Sequence, residues 1–101
     1  MSKPPPDRQF WDLADSFIHL ANEQSQSAGR DKVSAALLYA ASRFNAFIAA
    51  TASADEATFR AEKNEAMEYF AGEFRKMLSE NLDDWANNYE KYVASKRSDG
   101  A

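Results

Sequence analysis

His19, the only histidine of this chain, stands four residues after Asp15 and four before Glu23. On a helix those spacings stack the three side chains on one face. A carboxylate–histidine–carboxylate row is chemistry that a metal ion or a shuttled proton could use. The same row is equally what a solvated helix face looks like, and one histidine cannot build the multi-histidine centres that hold transition metals. A di-iron helical bundle needs Glu-x-x-His pairs on two helices, and the sequence contains none. Glu62, Glu65, Glu68 and Glu73 fall on the outer face of a helix, with Arg60, Lys63 and Lys76 spaced to pair with them. No glycine-rich phosphate loop and no Ser/His/Asp or Cys/His arrangement occurs at usable spacing. The expectation is a protein that is not an enzyme, with no catalytic residue, no metal ligand and no cofactor. The alternative is a small-molecule or metal-binding enzyme working from the polar face that carries His19.

Two further constellations bear on binding rather than reaction. Ala35, Tyr39, Ser42, Ala46, Ala49 and Ala50 recur at helical spacing without a charge, and Arg43 lies at their margin. Small side chains let two helices approach closely, so this row is a candidate homodimer interface. Arg43 either lays its stem on alanine surface with its head in water or makes a salt bridge across an interface. Trp85, Tyr89 and Tyr92 form an aromatic stripe that is an alternative interface. The plainer reading of that stripe is core, packed against Phe10 and Trp11.

These residues need helices to position them, and the composition supplies helices. In 101 residues there are three glycines, three prolines and no cysteine, and β-branched residues are too scattered to draw a strand. The expected fold is all-α: a small helical bundle of three long helices plus a short C-terminal one. Organisation should follow a disordered leader at 1–6, a single helical domain at 7–94 and a disordered tail at 95–101. Asp7 is placed to cap a first helix over 8–25, whose apolar face holds Phe10, Leu13 and Phe17. Gly29 breaks the chain within a turn at 25–30, and Asp31 is placed to cap the second helix.

Residues 33–52 are the organising stretch. Leu37, Phe44, Phe47 and Ile48 share one face, and the opposite face is small and nearly uncharged. A helix apolar most of the way round is buried on several sides. Its length would cross a bilayer, but Arg43 near its middle costs roughly 2.5–3.5 kcal/mol there, which favours the core helix of a soluble protein. Ser53 and Glu56 have the spacing of a capping box for a third helix, whose stripe includes Phe70, Phe74 and Met77. That stripe continues through Trp85 to Val93. Either a break at 79–81, with Asn81 as N-cap, folds back a fourth helix over 82–94, or the helix is continuous and pairs with a second molecule.

The stretch FWDLADSFIHLANEQ followed by KVSAALLYAASRFNAF resembles a family of short bacterial proteins known only as a domain of unknown function, over roughly residues 9–48. The resemblance implies a small, mostly helical bacterial protein and carries no site residue with it. A net charge of −4 argues against nucleic acid, whose phosphates attract clustered Lys and Arg. The absent cysteine and the lack of an apolar signal segment point to the cytoplasm. The expected partners are a second copy of the chain, as a homodimer, and an unidentified protein, but neither nucleic acid nor membrane.

Overall fold

The computed structural model describes residues 6–98. It contains four helices: α1 (Arg8–Ala28), α2 (Arg30–Ala52), α3 (Glu56–Asn87) and α4 (Tyr89–Ser98). No strand occurs among the described residues. The expected all-α class, three long helices and a short C-terminal one, is what the chain forms. The chain forms two compact units, Met1–Ile48 and Ala49–Ala101.

In the first unit Asp7 caps α1 as expected, its Oδ1 accepting the Phe10 amide at 2.8 Å. The turn expected over 25–30 shrinks to Gly29 alone, at φ 88°. Ser25 and Ser27 turn back to donate to the carbonyls of Ala21 and Gln24, so they serve the helix instead of leaving it. Helix α2 begins at once, with Val33 N donating to Gly29 O at 3.2 Å, and Asp31 lies in its first turn instead of capping it. Two helices thus diverge from one glycine without close backbone contact between them.

In the second unit the expected capping box does not form. Asp55 caps α3, its Oδ1 accepting the Thr58 amide at 2.8 Å. Ser53 donates its hydroxyl to Ala49 O, and Glu56 pairs with Arg60 at 2.8 Å. Of the two readings of the following stretch, the break at 79–81 does not form. Asn81 donates its side-chain amide to Met77 O, a bond made inside a helix, and α3 continues to Asn87. Asn88 interrupts it at φ −125°, ψ 25°. The interruption is slight, since Asn88 N still donates to Asp84 O and Tyr92 N to Asn88 O. Helix α4 carries on to Ser98, past residue 94, at which the sequence would end the last helix.

The expected core is the main correction. Phe10, Leu13, Phe17, Leu37, Phe44, Phe47, Ile48, Phe74 and Met77 are all exposed, Phe70 is half-buried, and no described residue is buried. Within the first unit the physical reason is direct: α1 and α2 diverge, so neither covers the other's stripe. The organising helix α2 is likewise uncovered rather than buried on several sides. By length and composition alone it is apolar enough to cross a membrane.

Candidate functional site

His19 Nε2 lies 3.2 Å from Glu23 Oε1, and both side chains are mostly exposed. Asp15 shares the face by its spacing, but no group of three or more His, Cys, Asp or Glu able to hold a metal occurs among the described residues. What the structure builds at His19 is an i,i+4 pair in water.

Arg43 turns onto its own helix. Its Nη2 donates to the Tyr39 hydroxyl at 3.3 Å, and the guanidinium stands 5.0 Å from the centroid of the Tyr39 ring. The aromatic face carries negative potential, so it holds the cation beside the alanine row. Ser42 is occupied as well, donating to Tyr39 O at 2.8 Å. Along α2, Ala35, Tyr39, Ser42, Arg43, Ala46 and Ala50 are exposed and Ala49 is half-buried. The row is therefore an open surface, with its one charge tied to a ring at the flank.

At the junction of α3 and α4, Trp85 and Tyr92 meet edge to face, with ring centroids 4.8 Å apart. The Tyr92 hydroxyl approaches both Asp84 carboxylate oxygens, at 3.3 and 3.2 Å. Asn88 Nδ2 donates to the Asp84 carbonyl and carboxylate from the other side. Burial beside the Trp85 ring and the Asp84 charge both raise the Tyr92 phenol above its ordinary 10.0. Tyr89 is 53% exposed. Trp85 and Tyr92 thus brace the helix junction, and Tyr89 adds exposed aromatic surface beside them. In the first unit Phe10 and Trp11 meet edge to face, with ring centroids 4.9 Å apart.

One feature of the first unit is not visible in any single motif. The divergence of α1 and α2 opens a cleft of about 350 Å³, lined on one side by Phe17, Leu20, Ala21 and Gln24 and on the other by Val33, Ala36, Leu37 and Ala40. Lys32 is its only charged lining residue. Periodicity assigns each of these residues to an apolar stripe but cannot say that two stripes face one space. Gly29 carried the available signal, as a lone breaker between two long apolar helices.

The family of proteins of unknown function DUF3144 matches residues 10–86. The NMR structure of protein NB7890A from Shewanella sp is similar at 30% sequence identity, with a TM-score of 0.73, over 89% of this chain and 96% of that one. Among curated proteins none matches.

Proposed function

The chain belongs to the DUF3144 family of proteins of unknown function, and on that premise we propose that it is a non-enzymatic helical interaction protein that associates with itself. One observation carries the reading. Every long helix presents large apolar side chains to solvent, including Phe17 at 58%, Phe44 at 60% and Met67 at 64% exposure, while no described residue is buried. Soluble proteins seldom leave contiguous apolar surface of this extent open, and where they do it meets another molecule. A chain of this length that stood alone would bury most of such residues itself.

A homodimer satisfies both copies with one patch and is the commonest soluble assembly. The uncharged row along α2 and the exposed Tyr89 are the surfaces offered for self-association and for a further protein partner. The acidic balance disfavours nucleic acid. Arg43 in the middle of α2 disfavours the bilayer, and the cysteine-free composition suits the cytoplasm.

Size-exclusion chromatography with light scattering tests the reading. The expected mass is twice that of the chain, and a mass of one chain at all concentrations overturns it. Placing a carboxylate in the row with Ala46→Glu should weaken the dimer if the row lies in the seam. A dimer that Ala46→Glu leaves intact moves the interface elsewhere.

A further inference from the structure

The geometry points to the cleft between α1 and α2 as the place where the second copy inserts its own α2, so that two α2 helices lie together about a two-fold axis with an α1 on each outer side. This inference rests on the self-association proposed above and names the surface that performs it.

A small ligand is a poor occupant. The cleft is walled by side chains that remain about half exposed, Phe17 at 58% and Leu20 at 51%. A compound of about 350 Å³ would leave those walls wet, whereas binding pockets enclose most of their ligand's surface. Covering them takes an element as long as the walls, and that is a helix.

Area then favours a second copy. Among the described residues of α1 and α2, twelve large apolar side chains stand between 39% and 63% exposed. At roughly 80–100 Å² apiece these offer about 1,000 Å² per chain, against the ~800 Å² that each partner contributes to a standard stable interface. Phe17, Leu20 and Leu37 of these line the cleft, and the others extend the apolar surface of the same two helices that an assembly could cover.

Composition chooses which helix enters. Helix α2 is the one whose apolar surface continues round from the cleft wall at Ala36 and Ala40 to Ala35 and Tyr39. A helix of that kind needs neighbours on several sides, and a central place in the dimer supplies them. Ala36 and Ala40 leave room for the two backbones to close.

The test uses wild-type protein. Isotope-labelled and unlabelled chains are mixed, and filtered NMR reads only contacts between copies. Contacts from the Leu20 and Leu37 methyl groups to the α2 of the other copy are expected. If light scattering gives a dimer but contacts between copies fall only outside the cleft, for example at Tyr89, the insertion is wrong while self-association stands. A monomeric wild type removes both. As a second arm, Ala36→Glu should shift the protein from dimer to monomer. A helical Ala36→Glu variant that keeps twice the chain mass overturns the insertion.

Discussion

Asp55 accepts the Thr58 amide at 2.8 Å, and that bond makes the start of α3 sensitive to acid. Hydrogen bonds from the Thr58 backbone and side chain hold the carboxyl below its ordinary 3.8. Because the folded value is the lower one, the stabilisation is complete above 3.8 and is lost as pH falls through the folded value. Amide exchange should show the first turn of α3 opening in that acidic window, and Asp55→Asn should remove most of the pH dependence there. An Asp55→Asn profile identical to wild type would count against this cap. Tyr92 works in the opposite direction. Its phenol is raised above 10.0 by burial and by Asp84, so its contribution is complete below 10.0 and is lost as pH rises through the folded value. In the ultraviolet titration, the difference between wild type and Tyr92→Phe should show one tyrosine ionising later than the rest. Asp84→Asn should bring it part of the way back, because the burial remains. An unchanged titration in Asp84→Asn would mean that the carboxylate has no hold on the phenol.

At the scale of elements, two glycines should respond to the same substitution with opposite signs. Gly29 sits at φ 88° with nothing within 4 Å of where a Cβ would go. Gly29→Ala therefore meets no clash, only a conformation that side chains resist, and should destabilise by about 1–2 kcal/mol. Gly72 also has open space but lies inside α3, where Gly72→Ala should stabilise by about 1 kcal/mol through helix propensity and the stiffer unfolded chain. Denaturant titration reads both, and two shifts of the same sign would be incompatible with this account. The same elements mark how far the sequence could be read. Helix existence, the Asp7 cap and the break at Gly29 were legible because each is local chemistry within a few residues. The start of α3 was misread because Ser53 and Asp55 both offer an oxygen, and the choice between them depends on which backbone amides are left free. Asn81 leaves two readings open for the same kind of reason: an asparagine side chain can begin a helix or bond back into one. The cleft was out of reach, because the angle at which two helices leave a glycine is not written in either helix.

For the whole molecule, the apolar stripes decide how stability should depend on concentration. The expected core residues share apolar helix faces by their spacing, yet no described residue is buried. Periodicity tells which face is apolar and is silent on which chain covers it. If a second copy covers them, most of the favourable burial belongs to association, and folding and dimerisation are one event. A tenfold rise in protein concentration then adds about 1.4 kcal/mol to the dimer. Spread over two chains of this length, that raises the melting temperature by roughly 3–6 °C. Calorimetry at two or three concentrations checks it. A cooperative transition whose midpoint does not move with concentration would show that one chain makes its own core, and the exposed stripes would then have to be covered from within.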